Sequence, residues 1–152
     1  MKLYGKAILV ALGGWALVFV LAWTDLSLRA RQAYAEGLKY LDWQEHPERK
    51  AAHYDAVLKR RQMKLDGEFK TGRLAPDAYK AKYSLLRFDR DERVSESSLK
   101  YAYVWFQTGC DLFSPPRGRW ARLCCERMPG VLGRWKAELK AQRIPYEDCM
   151  FE

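Results

Sequence analysis

After Thr24 the chain has no uncharged stretch long enough to cross a bilayer, and nowhere do apolar and polar residues alternate for the length of a strand. The first absence confines any membrane crossing to the N-terminus. The second predicts an all-α fold. Histidine is scarce, with only His46 and His53. Seven residues place these two turns apart, with Pro47 breaking the helix between them, so Glu45, Glu48 and Asp55 do not complete a metal site with them. There is no Cys-x-x-Cys, no Cys-x-x-Cys-His and no close cysteine pair of the kind a zinc knuckle uses. Serine-nucleophile, Gly-rich phosphate-loop and zincin motifs are also missing. The alternating charges from Arg87 to Arg93 read as a salt-bridged solvent face rather than an acid–base pair. No catalytic, cofactor-binding or metal-ligating residue is therefore nominated.

What is present begins at Ala7. From there to Thr24 the sequence AILVALGGWALVFVLAWT carries no charge. As a helix these residues rise about 27 Å, close to the roughly 30 Å hydrocarbon thickness of a bilayer. Lys2 and Lys6 precede the run, as in a secretory signal, but it exceeds the 7–15 apolar residues usual there. The nearest small-x-small pattern, Ala33-Tyr34-Ala35, lies well beyond its end. The run is read as an uncleaved signal-anchor. Trp23 sits where an indole favours the membrane interface, and Gly13-Gly14, with Ala7 and Ala11, form a small-residue strip for another membrane helix. Lys2 and Lys6 before the span, against Arg29, Arg31 and Lys39 after it, give no decisive positive-inside bias.

The segments predicted along the 152-residue chain are a short tail (1–6), the transmembrane anchor (7–24), an amphipathic membrane-proximal helix (25–46), a helical soluble domain (47–143) and an irregular acidic tail (144–152). Leu26, Ala30, Ala33-Tyr34, Leu38 and Leu41 recur at threes and fours, so the anchor either continues as one long helix or bends near Thr24-Asp25. Gly37 weakens that helix by about 1 kcal/mol relative to Ala. Pro47 suits the first turn of the next helix, predicted to reach Leu65. A connector over 66–76 leads into a helix opened by Pro76-Asp77 and closed by the charged run 89–93. Leu99, Ala102-Tyr103, Phe106, Cys110 and Phe113 then give the strongest helical period in the soluble part. Ser114-Pro115-Pro116 stops it, and two short helices follow, with a corner at Met128-Pro129-Gly130.

Cys110, Cys124, Cys125 and Cys149 are even in number and crowd the last third, which suits disulfides in an oxidising compartment. Adjacent cysteines on a helix point about 100° apart, so Cys124 and Cys125 would bond outward, one to Cys110 and one to Cys149. The competing reading is four reduced thiols with Cys110 and Cys124 in the core. The disulfide reading places the soluble domain outside the cytoplasm. The net charge is +8. Between Ser114 and Arg143 stand Arg117, Arg119, Arg122, Arg127, Arg134, Lys136, Lys140 and Arg143 against Glu126 and Glu138, eight minus two, a surplus of six. Such a block faces anionic headgroups, an acidic protein or nucleic acid, in that order for a tethered domain, or else is a solvated face without a partner. Tyr101, Tyr103, Trp105 and Phe106 could stack bases, but Tyr103 and Phe106 lie on the apolar seam and core packing accounts for them better.

Over residues 57–86, Gly72, Leu74, Asp77, Tyr79, Lys82 and Leu85-Leu86 resemble the short helical hairpin family called SHOCT, with Ala75 in place of its usual Ser/Thr cap. The resemblance implies a helix–turn–helix associated with oligomerisation or with membrane segments.

The sequence as a whole is read as one N-terminal transmembrane helix followed by a small, basic, multi-helix soluble domain. The expected role is a non-catalytic accessory, scaffold or assembly subunit of a larger membrane complex. Its contacts would be Gly13, Gly14 and Trp23 in the anchor, the aromatic helix Leu99–Phe113, and the basic block, chiefly Arg117, Arg119, Arg122, Arg134, Lys136, Lys140 and Arg143. Expected partners are other subunits, anionic lipid headgroups or a second copy, with nucleic acid least favoured. Two other classes compete: a cysteine-dependent redox or metal-binding module in the periplasm, and a membrane-tethered nucleic-acid binder.

Overall fold

The computed structural model describes residues 2–113 and 118–151, with side chains from Leu12 onward. Every regular element among the described residues is helical: α1 Lys2–Glu45, α2 Pro47–Lys70, α3 Pro76–Ser95, α4 Ser98–Asp111, α5 Arg119–Ala141 and a closing 3-10 turn at Asp148–Phe151. The chain divides into two compact units, one of Met1–Lys39 with Leu99–Glu152 and one of Tyr40–Ser98.

In the first unit the apolar run does not end at Thr24. The helix continues through Asp25, whose carboxylate pairs with Arg29 one turn on (2.8 Å), instead of capping a new helix. Helical order is favoured here because the stripe Ala30, Ala33 and Gly37 is buried against α4 and α5. Small residues let the helices approach closely. A Cβ on Gly37 would lie 2.6 Å from the Phe106 ring, and one on Gly109 2.4 Å from Cys124 Sγ. Gly37, a weak point by propensity alone, is thus where the fully buried Phe106 ring fits. Leu99, Ala102, Tyr103 and Phe106 are buried along α4, as its apolar seam predicts, while Val104 on the same helix is exposed.

α5 differs from the expected pair of short helices. It is one helix with Pro129 inside it. A proline there removes the bond to the carbonyl four residues back and costs about 3 kcal/mol. The buried positions explain the continuity: Ala121, Cys124 and Val131 are buried, and Met128, Trp135 and Leu139 half-buried. Together they form a single stripe at spacings of three and four across the proline, which two helices meeting at a corner could not keep on one face. Pro129 itself is exposed, where water can satisfy the freed carbonyl.

The tail is also less irregular than expected. Phe151 is buried, its ring 5.0 Å from Trp135 and 5.6 Å from Tyr146, and Tyr103 Oη donates to its carbonyl at 2.5 Å.

In the second unit α2 and α3 form a hairpin. α1 ends at Glu45, and Pro47 opens α2 at its first position, as expected from its missing N–H. α2 runs five residues past Leu65, through Gly67 to Lys70. Contacts override the turn signal: Tyr79 Oη donates to Asp66 (2.6 Å), and the Phe69 and Tyr79 rings lie 4.9 Å apart. The turn uses Gly72 at φ +72°, a left-handed conformation that glycine adopts without a Cβ penalty. Arg61–Asp89 and Arg90–Asp55 tie α2 to α3 (2.6 and 2.8 Å). Met63 and Phe88, though apolar, are exposed. Lys50 is buried instead, its ammonium donating to the Glu96 carbonyl at the end of α3, where the helix dipole favours a cation.

Candidate functional site

The N-terminal half of α1 is the largest exposed apolar surface described. Leu12, Trp15, Leu17, Val18 and Leu21 are each more than half exposed, with Trp15 at 71%. This is the one helix among the described residues long and apolar enough to cross a membrane, and none of its apolar window is buried. Gly13 and Gly14 have nothing within 4 Å of where a Cβ would stand, and Trp23 at the end of the run is 48% exposed. Side chains before Leu12, including Ala7 and Ala11 of the small-residue strip, lie outside the described residues.

The basic block separates into groups with different surroundings. Arg117 lies outside the described residues. Lys136 is turned toward the chain itself: it pairs with Asp148 (2.7 Å) and lies 4.8 Å over the Phe151 ring. The hydrogen bond to Asp148 holds its pKa above the usual lysine value. Lys136 therefore pins the tail, and its placement offers little to a partner. Arg122, Arg134 and Lys140 are exposed on α5, and Arg143 closes the helix at φ +58°. Arg119 and Arg31, from α5 and α1, both lie over the Trp120 indole, at 5.5 and 5.8 Å from its centroid. Tyr34 backs the same indole at 5.7 Å. Arg31 and Trp120 are 89 residues apart, so only the pairing of α1 with α5 reveals the cluster.

The cysteines take three environments. Cys110 and Cys125 are bonded to one another, joining α4 to α5. Cys124 is a free, fully buried thiol between Gly109 and Ala33, and Cys149 is free and exposed. The pairing differs from the expected two bridges because Cys124 faces α1, its sulfur 4.0 Å from the Ala30 carbonyl. Burial pushes the Cys124 thiol up to about 11, the reverse of what a nucleophilic or metal-binding thiolate requires. His46 Nδ1 lies 3.4 Å from Glu48, while His53 packs against the Trp43 and Tyr54 rings. The structure does not bring the two histidines together.

In the second unit a cleft of about 350 Å³ is lined by Leu65, Leu85 and Leu86 with Arg61, Lys64, Lys82 and Glu68 at its rim. Tyr79 is held above the ordinary tyrosine pKa, first by its hydrogen bond to Asp66. Tyr103 is raised chiefly by burial. Each displaced group thus has a structural partner or a structural cause.

Compared with known protein families, with curated proteins and with solved structures, the chain finds no match. The hairpin likeness over 57–86 accordingly rests on its motif residues alone.

Proposed function

We propose that this chain is a single-pass membrane protein whose α-helical domain acts through contacts, as an accessory, scaffold or assembly subunit of a larger membrane complex. The observation that carries this reading is the exposed apolar surface from Leu12 to Trp23. A contiguous patch of this kind on a water-soluble surface is costly and marks a membrane or protein contact. It belongs to the uncharged run Ala7–Thr24, which lies wholly within α1 and rises about 27 Å, close to a bilayer crossing. The uncleaved anchor is supported by α1 itself: Ala33, in the nearest small-x-small pattern, is fully buried against Gly109, so a cut there would sever a core helix. The Cys110–Cys125 pairing supports a domain outside the cytoplasm, where such bonds persist. The small-residue positions Gly13 and Gly14 and the exposed basic residues of α5 provide contact surfaces.

The test is affinity purification of the full chain from crosslinked membranes in mild detergent. The proposal expects reproducible membrane-protein partners, lost when Gly13 and Gly14 are both changed to Leu. A well-behaved monomer with no partner would overturn it.

A further inference from the structure

We propose that Arg31, Arg119 and Trp120 form a docking surface for anionic phospholipid headgroups of the bilayer in which α1 is anchored, a reading that rests on the anchor proposed above. Helix direction places the surface at the right height. Along α4, Phe106 meets Gly37 and Gly109 meets Ala33, so α4 descends toward the anchor and ends at Asp111, followed by Leu112, which is 70% exposed. α5 then climbs back, with Cys124 beside Ala30 and Trp135 beside Tyr103. The start of α5 therefore lies at the anchor end of this unit. Arg31 and Tyr34, the α1 residues against Trp120, are seven and ten residues beyond Thr24, about 10 and 15 Å along the helix, and the headgroup zone extends roughly 5–8 Å beyond the hydrocarbon. An extended arginine side chain spans the remainder.

The charges point to an anion. Arg29 is paired with Asp25 (2.8 Å) and Lys136 with Asp148, whereas among the described residues Arg31 and Arg119 have no carboxylate partner. Two guanidiniums share one indole, and Arg119 adds its charge to the positive end of α5, whose first turn carries no acidic residue. Both arrangements are repulsive alone and relieved by a phosphate between them. Trp120 supplies the amphipathic ring favoured at this depth, and Leu28 (63% exposed), three residues before Arg31 on α1, and the exposed Leu112 after α4 supply apolar tips. A nucleic acid or acidic protein would match the charge but not the apolar tips or the continuity with the span.

The experiment is native mass spectrometry of the full chain released from nanodiscs of mixed phosphatidylcholine and phosphatidylglycerol. The wild type should retain phosphatidylglycerol preferentially. Arg31→Gln with Arg119→Gln should reduce that preference by about fivefold per arginine. Lys59→Gln with Arg60→Gln, which removes the same charge from exposed positions of α2, should leave it unchanged. An undiminished preference in the first pair, or an equal loss in the second, would overturn the proposal. Flotation with phosphatidylcholine liposomes separates the two readings. Wild type that fails to float refutes the anchor, whereas wild type that floats without lipid preference refutes only the headgroup surface.

Discussion

Gly37 and Gly109 illustrate how residue identity acquires its meaning from neighbours. By propensity Gly37 is a defect, yet a methyl group there would collide with the rigid Phe106 ring, and one at Gly109 with Cys124. Gly37→Ala and Gly109→Ala should each lower stability by about 1–3 kcal/mol through overpacking. Gly130→Ala, on the exposed side of α5 with open space around it, should instead raise stability by up to about 1 kcal/mol. Thermal melts of the three variants in one detergent check the contrast; equal effects at all three would refute the packing account. None of this was legible locally, because a glycine's neighbours are supplied by other helices. Cys124 carries a pH dependence of definite sign. Its thiol is raised to about 11 by burial, above the ordinary value of about 8.5. The folded chain therefore holds the proton longer than the unfolded chain. The contribution is complete below about pH 8.5 and is lost as pH rises toward 11. The stability difference between wild type and Cys124→Ala should shrink over that interval, measured as denaturant midpoints; a flat difference would contradict a buried neutral thiol.

At the scale of elements, most helix starts were readable and some stops were not. Pro47 and Pro76 both open helices, as a residue without an N–H should. The end of α2 was misread at Asp66-Gly67, since the aromatic contact with Tyr79 that keeps the helix going is long-range in origin. Pro129 was misread for a different reason. Met128-Pro129-Gly130 is a strong local corner, but the stripe Ala121, Cys124, Met128, Val131, Trp135, Leu139 passes through it, and burial of a continuous face prevailed over turn chemistry. Pro129→Ala should therefore stabilise the protein by about 1–3 kcal/mol, by restoring a helix bond at an exposed position. A loss of stability would show that a bend at Pro129 is needed. The closing 3-10 turn was missed altogether because four residues carry no periodicity. Phe151→Ala should cost about 3 kcal/mol if its ring completes the Tyr103–Trp135 cluster, and limited proteolysis should then cut the tail sooner.

For the whole molecule, the all-α class followed from missing alternation and is the architecture observed among the described residues. The division into two units did not follow from the sequence. Residues 1–39 join 99–152 across an intervening hairpin, a pairing of distant segments that leaves no local trace. The Cys110–Cys125 bond closes a loop of fifteen residues within the first unit. Reduction should lower stability by about 3 kcal/mol on the loop-entropy account, which melting with and without reductant measures. The proposed role depends above all on the apolar half of α1, since surfaces such as Gly13-Gly14 and the Arg31–Arg119 pair act at a membrane only if that helix is in one. The most direct measurement is the distribution of the full chain between pellet and supernatant after alkaline carbonate treatment of membranes. The account predicts full-length protein in the carbonate-resistant pellet, released only by detergent. Protein in the supernatant, or a shortened form lacking the apolar run, would contradict it.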